Sequence, residues 1–439
     1  MALKQTPAEA TILTALLAAV VAVAGGAAPL SPARAQVQTS FELEGQKLAV
    51  TRREIEALSE LGLTLRSGNR ARQDLALERA RRAAIGPDAR YALARYELEL
   101  GLERGDDSMR AKALDVLIAN DMTSARKLES YLAARAQTAF RLGDLETART
   151  LWTRLLAMKP NDPDVLADLA QVSRGEGKAG SAVNLLEQSI AHRKASGKPV
   201  PETLYRQWFS AAHEAKLAGP GLAAARALVA AYPSRRNWRE ALVAYRQLKA
   251  PADSLEIDHF RLMRAAGVLA KGEEYQRMAQ LLNRAGAPSE ARSVLDEAVS
   301  RGLLDAALSP TRDILAEVAR AIARDTDRPR QAATSAAGAL SLADSHFAAG
   351  RYSEAASLYR AALGGLGIDS AKVNSRLGMA LAFADRRPDA EAAFALAASD
   401  SSISAQLSGY GELARFWLAW LANPPTGDGA RSTSVPVGQ

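Results

Sequence analysis

The chain contains no cysteine. That absence excludes a disulfide framework, thiolate metal sites and a lipid-modified N-terminal cysteine. It leaves the redox compartment open, because a chain without thiols is indifferent to it. Aromatic residues make up only 5% of the 439 residues, and histidine occurs four times. His192, His213, His259 and His346 are scattered, with no second ligand at the spacing a metal site needs, so no metal is expected. The H-E-x-x-H, G-x-S-x-G and Walker-type signatures are missing. So are strand signals: sustained apolar–polar alternation, β-branched clusters and an Asn-Gly hairpin turn. Gly219-Pro220-Gly221-Leu222-Ala223-Ala224 fits a loose dinucleotide-binding string, but no strand precedes it, so it reads as a helix-breaking turn. Glu273-Glu274 and Asp325/Asp327 read as caps and turns, since nothing makes a carboxylate pair converge. No cofactor is implied.

Only one long apolar run occurs. Ile12 to Ala24 follows Lys4 and precedes Ala33-Arg34-Ala35, a small-x-small cleavage site before Gln36. Residues 1–35 therefore read as a signal peptide, removed after Ala35, which places the mature chain in the periplasm or outside the cell. The alternative is an inner-membrane anchor formed by residues 12–30. Membrane contact is expected only through that segment. Residues 36–50 read as a linker. From Thr51 onward the pattern is helical almost without a break, as a mean hydropathy near zero and an alanine-rich composition allow.

What the chain does have is an internal repeat. Residues 336–404 divide into two blocks that align with each other: Ala343 with Gly378, Gly350 with Asp385, Ala355 with Ala390, Tyr359 with Phe394, Ala362 with Ala397. The offset is about 34 residues. Small residues stand where two antiparallel helices approach most closely. A large ring fills the space beside the crossing, and the second small residue lets the next hairpin stack. One such hairpin cannot bury its apolar face alone, so neighbours are required. They are present. Residues 129–162 carry Ala136, Gly143, Ala148, Trp152, Leu155 and Pro160. Residues 163–196 repeat the pattern with Ala170, Gly177, Ala182, Leu186 and Ser189, and residues 273–301 with Ala279, Gly286, Ala291, Leu295 and Ala298.

These residues resemble the tetratricopeptide-repeat (TPR) family, although Ala339 and Asn374 stand where the family often has Trp. The stretches AAYPSRRNWREALVAYRQL, LEIDHFRLMRAAG and EYQRMAQLLNRAGAPSEARSVLDEAVSRGLLD are also similar to exported TPR proteins of Gram-negative bacteria. The resemblance implies an all-α fold, an α-solenoid of TPR-like helical hairpins in a right-handed superhelix. It assigns 51–128 to degenerate repeats and 129–196 to two TPR repeats. Irregular repeats follow over 197–335, including a TPR-like 272–305, and then two TPR repeats over 336–404. Residues 405–422 are expected as a capping helix and 423–439 as a disordered tail.

The formal charge is +7. Arg66, Arg70, Arg72, Arg79, Arg81 and Arg82 cluster, but no aromatics interleave with them for base stacking, and an export signal argues against nucleic acid. In a TPR superhelix the first helix of each repeat lines the concave groove. By position, that groove carries Gln276, Arg277, Gln280, Asn283 and Arg284 in one repeat and Lys372, Ser375, Arg376, Met379 and Phe383 in the last. Amides and arginines in such a groove are suited to gripping a peptide through its backbone and carboxylates. The family's chaperone-tail clamp is not complete here. On the final helix, Phe416, Trp417 and Trp420 are candidate docking aromatics, against the plainer reading of a cap over the solenoid's open end. Together these imply a periplasmic, non-enzymatic scaffold or adaptor for a protein or peptide, in a setting such as envelope or exopolysaccharide assembly. The competing class is an enzyme acting on peptidoglycan or polysaccharide, with the superhelix as its support.

Overall fold

A computed structural model describes residues 38–326 and 335–426. The expected signal peptide, residues 327–334 and most of the expected tail lie outside the described residues. The chain forms two compact units, Met1–Pro199 and Val200–Gln439.

The first unit begins with a finding that corrects the expected linker. β1 (Gln38–Leu43) and β2 (Gln46–Thr51) form an antiparallel hairpin, Leu43 opposite Gln46 and Gln38 opposite Thr51. The turn residues Glu44 and Gly45 both have left-handed φ, 51° and 76°. This is the backbone that Asn-Gly usually supplies, here provided by Glu-Gly. Phe41, Leu43, Leu48 and Val50 are buried on one face, an alternation only two residues long per strand. The tip is pinned by ion pairs from Glu44 to Arg95 and Lys127.

Eight helices follow: α1 (Arg52–Leu65), α2 (Arg70–Ala83), α3 (Pro87–Arg104), α4 (Asp107–Ala119), α5 (Ala125–Arg141), α6 (Leu145–Met158), α7 (Pro163–Gly175) and α8 (Ala179–Ala195). They pack as consecutive antiparallel pairs. Thr51 caps α1 in a reciprocal box with Glu54. Gly86 precedes α3, with Pro87 and Asp88 in its first turn, and Asp106 caps α4. Asp88 accepts the Ala49 N–H of β2 at 2.7 Å.

The repeat grammar has a direct physical counterpart. Ala136, Ala148, Ala170 and Ala182 are fully buried at the crossings, with Trp152 and Leu186 filling the adjoining space. The buried Ser189 hydroxyl donates to the Pro163 carbonyl at 2.6 Å, tying α8 back to the start of α7. Each turn closes by one backbone bond reaching back five residues: Asp144 to Ala139, Lys178 to Ser173, Ala287 to Leu282, Arg351 to His346 and Arg386 to Leu381. That bond requires a left-handed residue just before it. Gly143, Gly177, Gly286, Gly350 and Asp385 take that conformation, φ 58–79°, so the alignment of Gly350 with Asp385 is conformational as well as sequential.

The second unit contains α9 (Glu202–Glu214), α10 (Ala218–Ala231), α11 (Arg235–Lys249), α12 (Asp253–Ala265), α13 (Gly272–Arg284), α14 (Pro288–Ser300) and α15 (Thr311–Thr326). After the undescribed connection come α16 (Ala336–Ala348), α17 (Tyr352–Ala362), α18 (Ser370–Phe383), α19 (Arg387–Ser399), α20 (Ile403–Ser408) and α21 (Tyr410–Ala422). The α16–α17 and α18–α19 hairpins pack as expected. A Cβ added to Gly378 would stand 2.7 Å from the Phe394 ring, the close approach that excludes a larger residue there.

Four expectations need correction here. Gly219-Pro220-Gly221 does not break a helix. The turn falls at Lys216 (φ 55°) and the three residues lie in the first turn of α10, where Pro needs no N–H partner. The last helix is interrupted at Gly409 (φ 76°), giving α20 and α21. The tail is ordered as far as Thr426: the Trp238 indole donates to the Asn423 carbonyl at 3.3 Å and Thr426 N–H to Pro233 at 2.7 Å. Finally, α21 is no cap over an open end. It packs against α19 and α18 on one side and against α10, α11 and α12 from the start of the unit on the other.

Candidate functional site

Helix α12 decides what the second unit can offer a ligand. All nine residues from Leu255 to Met263 are buried, so no face of that stretch meets solvent. It enters after left-handed Ala250 and leaves at left-handed Gly267, which let the chain turn inward and out again. Its charged residues are met by helices on several sides. Asp258, with 0% exposure, accepts from Arg261 Nη1 at 2.6 Å and from Arg376 Nε of α18 at 2.9 Å. Arg261 also donates to Glu290 of α14 at 2.8 Å, and its guanidinium lies 4.4 Å over the Phe347 ring of α16. Arg376 reaches on to Asp344 at 2.6 Å. Burial alone would raise the Asp258 pKa, but Arg376 and Arg261 hold it below the usual carboxylate range. The same pairs raise both arginines against their own desolvation. His259 stacks on Tyr245 with ring centroids 5.2 Å apart, and burial lowers its pKa to about 4. It is thus neutral, and Nε2 carries the proton donated to the Leu242 carbonyl at 2.8 Å.

The groove residues expected from the sequence converge on this helix. Arg277 donates to Glu256 at 2.8 Å and to Asp253 at 3.4 Å, and Arg284 donates to Asp253 at 3.0 Å. Arg376 holds Asp258, as above. The arginines do grip carboxylates, but those of their own chain. Gln276 is half-buried and bonded to Thr311, and Asn283 to Glu317 of α15. Gln280 is exposed. Met379 and Ser375 are fully buried and cannot face an open groove, because α18 is covered along almost its whole length. Lys372 is half-buried, its pKa lowered by burial and by Arg376. The docking aromatics are also corrected. Phe416 and Trp417 have 0% exposure; Phe416 packs edge-on against Tyr245, and Trp417 stacks on Phe394 at 5.4 Å. Trp420 is half-buried, edge-on to Trp417.

Of the expected groove residues, Phe383 stands at a cleft. It lines a cleft of about 320 Å³ between the C-terminal half of α12, the start of α14 and the turn joining α16 to α17. Phe347, Tyr352 and Phe383 form its apolar wall, with ring centroids 5.3–5.8 Å apart. Arg261, Arg264, Ser289, Glu290 and Ser293 form the polar side. Arg264 is fixed by Glu297 at 2.6 Å and by the Ser293 hydroxyl at 3.1 Å. Position-by-position carry-over of groove residues missed this set. The one signal was that Phe347 and Tyr352 flank a hairpin turn, where a ring ends up beside the opening instead of inside a helix pair. Among the described residues no group of three or more His, Asp or Glu is placed to hold a metal, and no helix is long and apolar enough to cross a membrane.

In the first unit one carboxylate stands apart. Asp168 on α7 is half-buried, and burial, with Asp164 and Asp162 nearby, raises its pKa to about 7.

Paired helices, buried small residues at the crossings and recurring left-handed turns fix the repeat class. The hairpins are TPR-like. No family model and no curated protein matches the chain. Among solved structures it is similar to PilW, a type IV pilus biogenesis factor, at 15% identity over 41% of this chain and 78% of that one, with a TM-score of 0.31. A tetratricopeptide repeat protein from Parabacteroides merdae shares 15% identity over 65% and 98%, with a TM-score of 0.27. The TPR2AB-domain:pHSP90 complex of yeast Sti1 shares 11% over 67% and 99%, also at 0.27. Superpositions this loose carry no argument about function, and the TPR-like description rests on the hairpins themselves.

Proposed function

We propose that this chain is an exported, non-enzymatic scaffold that binds a short segment of a protein partner in the cleft of its second unit. One observation carries the reading: the cleft sets an aromatic wall, Tyr352 and Phe383, opposite fixed polar groups, Arg264, Ser289 and Ser293. That combination takes an apolar side chain on one side and main-chain or carboxylate oxygens on the other. The solenoid interior does not compete for the role, because α12 already fills the arginine-lined groove. Export follows from residues 1–35, with cleavage before Gln36. The setting we propose for such an adaptor is envelope or exopolysaccharide assembly.

The test is a photo-crosslinker placed in turn at Ser293 and at the exposed Arg154 of the first unit, in cells producing the full chain. A discrete adduct from Ser293, absent from Arg154 and lost with Phe383→Ser plus Tyr352→Ser, supports the cleft. Equal adducts from both positions overturn it. Cell fractionation with N-terminal sequencing tests export: a mature chain beginning at Gln36 in the soluble envelope fraction is expected, and a chain retained in the membrane with its N-terminus intact contradicts cleavage.

An enzymatic reading has one observation in its favour, the near-neutral Asp168, which suits a general acid. Glycan cleavage by the wild type that disappears in Asp168→Asn would replace the scaffold reading.

A further inference from the structure

The hairpin that opens the first unit has one protected edge and one open edge. In a two-residue hairpin the residues closing the turn, Leu43 and Gln46, exchange backbone hydrogen bonds, and the ladder then alternates. Thr39 and Phe41 therefore turn their N–H and C=O toward β2, and Gln38, Ser40 and Glu42 turn theirs outward. The same parity on β2 is visible directly. Its outward N–H groups at Ala49 and Thr51 are taken by the Asp88 carboxylate at 2.7 Å and the Glu54 carboxylate at 2.8 Å. On β1, no described residue bonds the outward backbone groups of Ser40 or Glu42, and Ser40 is exposed. The hairpin is held rigid by its buried face and by Glu44, Arg95 and Lys127 at its tip, so the open edge is ordered in advance. An ordered, unpaired strand edge is a template for another strand.

We propose that the occupant is β1 of a second copy of this chain, paired antiparallel about Ser40. The outward-facing residues are symmetric about that position. Ser40 faces Ser40 of the other copy, and Gln38 faces Glu42 in both directions, so every outward N–H and C=O finds a partner and the contact is isologous. The side chains agree with the register. Glu42 lies opposite Lys47 across the hairpin, so its charge is already opposed. Phe41 and Leu43 stay on the buried face, so pairing exposes no core residue. The product is a four-stranded sheet joining two first units.

The test is the mass of the purified protein, expressed as the full chain so that any processing takes place, by sedimentation and light scattering through a dilution series. Wild type is expected at twice the chain mass, falling to the chain mass on dilution. Ser40→Pro removes an outward donor at the centre of the pair and is expected at the chain mass throughout, with helical circular dichroism unchanged. Lys47→Pro alters the opposite edge and is expected to dimerise like wild type. Ser40→Glu, at an exposed position, places two carboxylates opposite each other at the centre of the pair and is expected to shift dissociation to higher concentration, with salt restoring association. A wild type at single-chain mass at every concentration, or a folded Ser40→Pro that dimerises like wild type, overturns the proposal. So does a Ser40→Glu variant with unchanged association.

Discussion

Helices α7 and α12 have the same length, and both carry charged residues at intervals that read as amphipathic. Their surroundings differ completely. α7 buries Val165, Leu166, Leu169, Ala170 and Val172, leaves Asp164 at the surface, and takes most of its partners from α6 and α8. α12 buries nine residues in succession and takes its partners from α11, α14, α16, α18 and α21. In α7, Asp164 is polar because water is there, and the half-buried Asp168 is the exception that its raised pKa marks. In α12, Asp258, His259 and Arg261 are polar because other polar groups, up to 118 residues away, are there. Local pattern determines the first kind of helix. The second kind depends on matching charges across the unit.

The strongest way to break this comparison is to remove a charge from each helix. Asp258→Ala takes from Arg261 and Arg376 the carboxylate they share, leaving only Glu290 and Asp344 to oppose two buried guanidinium groups, and a loss of about 3–5 kcal/mol in urea-induced unfolding is expected. Asp258→Leu combined with Arg376→Met should recover much of it, since a buried pair replaced by apolar residues is often neutral. The pH dependence follows from the sign of the shift. The folded pKa of Asp258 is lowered, so its contribution is complete above the unfolded carboxylate range near pH 4 and is lost as pH falls through the folded value.

Much of the ordinary helix class was legible in the sequence. Ala343, Ala355, Ala390 and Ala397 are fully buried where small residues were expected, and Tyr359 and Phe394 fill the space beside them. What escaped were features whose cause is distant or local in an unusual form. Glu44-Gly45 turns a hairpin as Asn-Gly would, over strands too short for alternation to stand out. The groove positions Arg277, Arg284 and Arg376 were recognised as carboxylate-binding, but the carboxylates proved to be Asp253, Glu256 and Asp258 of the chain itself. Nothing in a helical period reveals that a later segment encloses an earlier one. For the cleft, only Phe383 was found, because Phe347 and Tyr352 act from a turn.

Smaller effects sharpen the contrast. Gly378→Ala places a methyl group against the Phe394 ring, and a loss of roughly 1–3 kcal/mol is expected from thermal unfolding. Asp168→Asn should stabilise the first unit. The raised folded pKa means that ionisation opposes folding above the unfolded value, with the full effect reached as pH rises through about 7. The gain is on the order of 1 kcal/mol after solvent screening, so the melting-temperature difference should be larger at pH 8 than at pH 5. Smallest is Arg284→Met. Its pair with Asp253 has side-chain exposures of 54% and 62%, against 7% and 0% for Arg376 and Asp258. A change within about 1 kcal/mol is expected for it, measured beside Arg376→Met, which removes the same charge from the interior.

Amide hydrogen exchange across the second unit tests directly whether α12 is a fixed interior element. If it is, the amides of residues 257–263 exchange only through global unfolding, with protection equal to that of α18, and denaturant shifts both together. Exchange of α12 at a free energy well below that of α18 would contradict the account: the helix would then be a displaceable occupant, and the arginine-lined groove an open site.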